Sequence, residues 1–284
     1  FAATLGEGPI VTTRDGRATG VMLAEAIHAG LTAIGRDTID ADVCATPTTG
    51  VLVRRYHAAG GIQISASHNP AEYNGMKLFG PQGYVISAAE GAAVIDAYRT
   101  QSPAWVGHAA VGTLDACADP LERHLELVLG LVDVARIRAR RFRVLLDANH
   151  GAGGELGTSL LEALGCEFEV LGEEADGQFA HTPEPTTENL VSVLPAVSRM
   201  GADIGFCQDP DADRLAVIDA DGRYLGEEYT LAMCVDHRLR QEAGPIVTNC
   251  STSRMSEDLA QKYDVPFFRS AVGEANVVAL MQRE

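Results

Sequence analysis

Apolar positions along the chain recur with two periods. Short runs read as strands: Ile10-Val11-Thr12, Arg143–Asp147, Ile62 to Ser65 and Ile204–Gln208. Between them lie longer segments in which Leu23, Ala26, Ile27 and Leu31, or Met255, Leu259 and Tyr263, fall at helical spacing. Strands alternating with helices of ten to fifteen residues predict α/β sheets. The short run Leu215, Val217 and Asp219 after an acidic loop predicts that some strands pair antiparallel, so the sheets should be mixed.

One unit repeats. Gly8-Pro9-Ile10-Val11-Thr12 returns letter for letter as Gly244-Pro245-Ile246-Val247-Thr248. Each copy is followed by a polar turn, an amphipathic helix and a second short strand. The first helix is predicted near 21–31. The strand RVLLD, the turn ANHGAGG and a helix near 155–164, closed by Gly165 as a C-cap, form a looser third copy. The shared order predicts repeated α/β domains with mixed β-sheets, over residues 1–135, 136–240 and 241–284, the third truncated. A charged helix over 119–135 with its RIRARR exit, and the stretch 238–244, mark the joints.

The composition is that of an ordinary globular protein, 46% hydrophobic and 21% charged. With 22 basic and 39 acidic residues the net charge is −17, which argues against nucleic acid and anionic membrane as partners. An anionic small substrate requires that a metal or a few cations reverse the field locally. No apolar run reaches the length of a membrane helix, and the first residues resemble no signal peptide. A start without Met and an end inside a helical pattern lead us to expect a piece of a longer protein. Six scattered cysteines without paired spacing suggest a reduced, cytoplasmic setting. Of the 22 basic residues 20 are Arg, which singles out Lys77 and Lys262.

Three constellations carry candidate chemistry. The strand ending at Ser65 runs into Ser67-His68-Asn69-Pro70, where Asn-Pro ends regular structure and leaves Ser67 and His68 on a tight loop. Such loops at strand ends are where open α/β sheets place ligands, although Ser and Asn before Pro also make plain turns. The second is Asp209-Pro210-Asp211-Ala212-Asp213-Arg214, three carboxylates at every second position between two apolar strands. Like charges so concentrated call for a divalent cation, and hard oxygen ligands suit Mg²⁺ or Ca²⁺. An EF-hand is excluded because Arg214 and Ala220 stand where that loop needs Gly and Glu. A solvated acidic turn is the plainer alternative. A phosphorylated Ser67 could complete the cation's oxygen shell and so join the two loops. The third is Lys77, ten residues beyond Ser67: a surface lysine, or one with a lowered pKa poised to exchange a proton with a substrate hydroxyl. Arg14 and Arg17 either bind anions or pair with Asp15. The HGAGG turn at 150–154 reads as close packing, and the Pro-rich loop 181–189 as structural.

Taken together, ISASHNP, YNGMKLFGPQG, PEPTTENL and QDPDADRLAVID resemble the α-D-phosphohexomutase family, which comprises the phosphoglucomutases, phosphomannomutases and phosphoglucosamine mutases. The resemblance runs along essentially the whole chain. It implies that Ser67 carries a transferable phosphate. It also implies that Asp209, Asp211 and Asp213, together with Ser67, hold one Mg²⁺, that Lys77 is the general base, and that His68 and Arg214 line the phosphate site; apart from the resemblance, Asn69, Arg14 and Arg17 are candidate phosphate contacts. The implied reaction moves a phosphoryl group between the 1- and 6-positions of a hexose phosphate through a bound bisphosphate, with hexose 1,6-bisphosphate as activator. FGPQG after the serine loop favours glucosamine phosphate, and PEPTTENL the broader phosphoglucomutase/phosphomannomutase group. Pro210 stands where many relatives have Gly. The family's opening arginine segment, sugar loop and fourth domain lie outside these residues, so the chain alone is expected to be a poor catalyst. Two readings of other classes compete: a metal-dependent phosphatase with Asp209 as nucleophile, and a non-catalytic sugar-phosphate-binding module.

Overall fold

The protein is described here by a computed structural model covering residues 1–100 and 104–284. Its first sheet has five strands, β1 (Ile10–Arg14), β2 (Thr38–Val43), β3 (Gly60–Ile64), β4 (Met76–Phe79) and β5 (Leu114–Ala116), in the order β4-β3-β1-β2-β5. All pairings are parallel except β3 with β4. Five helices belong to this part of the chain: α1 (Gly20–Ala33), α2 (Thr46–Arg55), α3 (Ala88–Thr100), α4 (Glu122–Leu129) and α5 (Val134–Arg140). The second sheet holds β6 (Arg143–Asp147), β7 (Glu167–Leu171), β8 (Ile204–Gln208) and β9 (Leu215–Asp219) in the order β7-β6-β8-β9, with α6 (Gly154–Ala163) and α7 (Leu194–Met200). Here β9 is the antiparallel member, so both sheets are mixed. The third sheet is the parallel pair β10 (Ile246–Asn249) and β11 (Phe267–Ser270), flanked by α8 (Glu227–Gln241), α9 (Met255–Tyr263) and α10 (Glu274–Arg283).

Each copy of the repeat is a strand, a helix and a parallel partner strand. The pairs are β1 with β2, β6 with β7, and β10 with β11. Adjacent residues of a strand face opposite sides, and the cores follow. Ile10 packs with Leu31, Ile62 and Ile64, whereas Val11 packs with Cys44, Leu52, Val53 and Phe79 on the other face. The second sheet divides likewise, with Leu145, Leu190, Val197 and Ile218 on one side and Val144, Leu146 and Leu161 on the other. Each such side chain contributes roughly 1.5–3 kcal/mol by burial, which holds the strand ends, and the loops on them, in place.

The helix expected over 119–135 is in fact two. Gly130 follows α4, and Asp133 starts a new helix by accepting the Arg136 N–H on its carboxylate at 2.9 Å, so the RIRARR exit is itself largely helical. Gly165 closes the turn after α6 as expected, with φ 66° and its N–H on the Glu162 carbonyl. All six cysteines are free thiols, and among the described residues no helix is long and apolar enough to cross a membrane.

The first and second sheets meet through main chain. A Cβ on Gly16 would lie 2.6 Å from the Ala175 carbonyl oxygen and 2.9 Å from the Gly177 nitrogen. Gly177 itself has φ 70°. Gly16→Ala therefore lowers stability by about 1–3 kcal/mol, because backbone has to move to admit the methyl. A denaturant midpoint equal to wild type would reject this account.

Candidate active site

The serine loop is built around a buried arginine. Asp15 directly follows β1, its N–H extends the pairing by bonding the Ile64 carbonyl, and Ser65 donates its hydroxyl to the Asp15 carboxylate at 2.7 Å. Ser65 Oγ then accepts the Ser67 N–H at 2.9 Å, and Ser67 takes φ 50°, a left-handed conformation that costs a residue with a side chain about 1–2 kcal/mol. Arg17 holds the loop in that shape. Its Nε pairs with Asp15 at 3.0 Å, Nη1 donates to the Pro70 and Tyr73 carbonyls, and Nη2 to those of Ser67 and Asn69. All five guanidinium protons are thereby used. This corrects the expectation that Arg17 contacts a phosphate: with no free donor and almost no exposure, it acts as the frame of the loop. Arg14 is likewise engaged, with Asp42 at 2.6 Å and the Asp15 carbonyl. Asn69 closes the turn through Nδ2 to the Ala66 carbonyl, and His68 Nδ1 lies 3.4 Å from Ser67 Oγ.

The acidic loop crosses from β8 to β9 with Ala212 at φ 52°. Asp209 and Asp211 are fully buried, and one oxygen from each of Asp209, Asp211 and Asp213 falls within 4.8 Å of the others. Asp209 Oδ1 accepts the Asp213 and Arg214 N–H groups. The HGAGG turn supports the loop from below, since Ala152 N–H bonds the Pro210 carbonyl at 2.7 Å and a Cβ on Gly151 would meet Pro210 at 2.7 Å. Close packing was the expected reading of that turn, and Pro210 is what it packs against.

Packing brings the two loops together. Ser67 Oγ donates to Asp209 Oδ2 at 2.8 Å across 142 residues of sequence, and Lys77 on β4 reaches Asp211 at 2.6 Å and Asp213 at 2.5 Å. Burial opposes the charge of the Lys77 ammonium, but Asp211 and Asp213 outweigh it and push its pKa up to about 12. The lowered pKa expected for this lysine is therefore not found, because the two carboxylates beside it favour the charged form. Burial, followed by the charges of Asp211 and Asp213, pushes Asp209 up to about 8. Burial acts the same way on Asp211, yet Lys77 beside it brings its carboxyl below the ordinary value. The opposite directions have one cause: Lys77 touches Asp211 and leaves Asp209 without a cation.

These residues suit a divalent cation. The donor set is hard oxygen, and Asp211 Oδ1 is buried without a hydrogen-bond partner among the described residues. A cavity of about 870 Å³ opens beside Asp213 and Arg214, and Asn249 and Glu274 of the third unit complete its wall. Arg54, Arg55, Arg123 and Arg214 line it together with Asp213 and Glu274, and three of these arginines are paired, Arg55 with Glu122, Arg123 with Glu126 and Arg214 with Glu184.

Several supporting residues are not among the candidates read from the sequence, although Glu184 lies within PEPTTENL. Thr46, at the start of α2, donates its hydroxyl to Asp211. Glu184 in the Pro-rich loop holds Arg214 at 3.4 Å. His181, at the head of the same loop, bonds the buried Asp147 at 2.7 Å. Burial opposes the charge on His181, but the hydrogen bond and charge of Asp147 win and its pKa is raised. A raised folded pKa adds stability below the unfolded value, about 6.5, and that stability is lost as pH rises through the folded value. The stability gap between wild type and His181→Asn is thus widest on the acid side and narrows upward. A gap that stays constant from about pH 6 to 9 would contradict it.

Comparison with known proteins gives the family. Residues 1–104 match the family model described as phosphoglucomutase/phosphomannomutase, alpha/beta/alpha domain I, residues 122–222 match domain II, and residues 227–284 match domain III. A phosphoglucomutase/phosphomannomutase of Thermococcus kodakarensis is 36% identical over 93% of this chain and 58% of its own length. A probable phosphoglucosamine mutase of Methanosarcina acetivorans is 33% identical over 94% and 60%. The crystal structure of a phosphoglucomutase/phosphomannomutase family protein from Burkholderia thailandensis superposes with a TM-score of 0.84 at 26% identity, covering 98% of this chain and 61% of that one. The chain spans about three-fifths of the length of these relatives. With three successive domain models matched in order and the serine and aspartate loops in contact, the chain belongs to the α-D-phosphohexomutase family.

Proposed function

We propose that this chain carries the phosphoryl-transfer half of a phosphohexomutase, an isomerase that moves phosphate between the 1- and 6-hydroxyls of a hexose phosphate. The observation that carries the reading is the 2.8 Å hydrogen bond from Ser67 Oγ to Asp209, which sets a nucleophilic hydroxyl on a three-carboxylate site. Phospho-Ser67 gives its phosphoryl group to the free sugar hydroxyl: the Oγ–P bond breaks, a sugar O–P bond forms, and the hydroxyl proton leaves to a base. The bisphosphate then reorients, and its other phosphate returns to Ser67. Asp209, Asp211 and Asp213 are the residues to hold Mg²⁺, which when bound offsets phosphoryl charge. Lys77, held by Asp211 and Asp213, is the residue to exchange the proton of the sugar hydroxyl. Arg214, held by Glu184, and His68, 3.4 Å from Ser67 Oγ, are the residues to line the phosphate site. Glucosamine phosphate is the favoured substrate, supported by FGPQG after the serine loop and by the probable phosphoglucosamine mutases among the relatives.

The test is peptide-resolved mass spectrometry after incubation with a hexose 1,6-bisphosphate and Mg²⁺. One phosphate on Ser67, removed by added hexose monophosphate, is the expected result, and the monophosphate that removes it fastest identifies the sugar. An unmodified Ser67 sinks the proposal. Phosphate on Asp209 would instead favour a phosphatase, and bound sugar phosphate without any phosphoenzyme would favour a binding module.

A further inference from the structure

The acidic loop is shaped from outside its own sheet. Thr46 is the first residue of α2, and Pro47 follows it within the first turn. The opening N–H groups of a helix have no partner inside the helix, so they seek one elsewhere. The Thr46 N–H finds the Asp211 main-chain carbonyl at 2.8 Å, and the Thr46 hydroxyl donates to Asp211 Oδ2. Lys77 of β4 donates to the same Oδ2 at 2.6 Å. Both donors come from the first unit, one from its helix α2 and one from its strand β4, and both act on one oxygen of one carboxylate. The other oxygen, Oδ1, is buried in a residue of zero exposure and accepts from nothing among the described residues. A carboxylate so gripped on one oxygen cannot turn, and its bare oxygen remains as the one available to a cation.

We propose that Thr46 is a positioning residue for the metal site: by fixing Oδ2 and the main chain of Asp211 it presents Oδ1 to a divalent cation, so that cation affinity depends on docking between the first and second sheets. The proposal rests on the reading that the three aspartates hold such a cation. It predicts a contribution from a residue 165 positions away in sequence that is not one of the three carboxylates.

Mn²⁺ affinity, followed by electron paramagnetic resonance on the whole chain, tests it with no need of turnover. Thr46→Val keeps the shape and the helical N–H but loses the hydroxyl, and weakens Mn²⁺ about 10- to 100-fold, the range for lost support of a metal ligand. Thr46→Ser keeps the hydroxyl and restores wild-type affinity. Equal affinity in wild type and Thr46→Val overturns the proposal, as does a wild type that binds no Mn²⁺. Should Thr46→Val lose the wild-type circular dichroism spectrum in chelator, Thr46→Ser and Thr46→Ala decide, with loss of affinity in the alanine variant alone supporting the proposal and equal affinity in the two rejecting it. Ser67 labelling is scored separately: tight Mn²⁺ binding lost in Thr46→Val together with an unlabelled Ser67 would uphold Thr46 and reject the mutase.

Discussion

Replacing Arg17 with methionine lowers the unfolding free energy by about 3–5 kcal/mol, the range for removing one partner of a buried ion pair. Arg17 and Asp15 both have side chains of zero exposure, so solvent screening does not soften the loss. Methionine retains the apolar stem but none of the five donors, leaving the Asp15 carboxylate and four loop carbonyls without them. Burial already holds the Asp15 carboxyl above its ordinary value against the opposing pull of Ser65 and Arg17. Without Arg17 it takes up a proton more readily, and Asp15→Asn in the Arg17→Met background recovers part of the loss. Thermal denaturation measures the effect, and hydrogen exchange locates it, with residues 65–75 exchanging faster. A loss below about 1 kcal/mol would show that the loop is held by something else.

The second large effect changes sign with the metal. In chelator, Asp209→Asn is more stable than wild type, and the difference grows with pH. Asp209 has a raised folded pKa of about 8, so the stability it contributes below its unfolded pKa is lost as pH rises through that value, when a second buried negative charge must be accommodated beside Asp211. Asparagine avoids that charge. Its carbonyl still accepts the Asp213 and Arg214 N–H groups, and its amide can donate to Ser67 Oγ, since a hydroxyl accepts as well as donates. We expect a gain of at least ~1 kcal/mol near pH 8, about 2–4 °C in midpoint. With Mg²⁺ at a hundred times its dissociation constant, wild type gains about 2.7 kcal/mol and the variant almost nothing. Parallel Mg²⁺ responses in the two proteins would remove Asp209 from the metal site.

Much of this architecture is readable because it is local. The strand–turn–helix–strand copies at Ile10, Arg143 and Ile246 declare themselves through apolar periodicity and a five-letter repeat, and all three fold as parallel pairs. The turn from β8 to β9 is readable for the same reason, with two apolar runs around charges that cannot enter a core. What fails to read is whatever depends on how units dock. Arg17 looks like an anion binder because composition cannot tell whether guanidinium protons are already spent on neighbouring carbonyls. Lys77 looks like a lysine of lowered pKa until Asp211 and Asp213 arrive beside it from the second sheet. Thr46 is one threonine in a run of small residues until the acidic loop settles on it. A single Gly130 and a capping Asp133 suffice to split the long helix, a competition between helix propensity and capping that periodicity does not register.

The contact between Gly16 and residues 175–177 has an evolutionary corollary. Main chain meets main chain there, so the joint reads loop length and the two glycines, Gly16 and Gly177, and hardly reads the side chains that face outward. Outward-facing side chains of those two loops are free to drift, whereas inserting a single residue into either would wedge the sheets apart and carry Asp211 away from Thr46. Chimeras that exchange the first unit between relatives should accordingly tolerate wide divergence in letters but no change in the spacing between Asp15 and Gly20, or between Glu174 and Phe179.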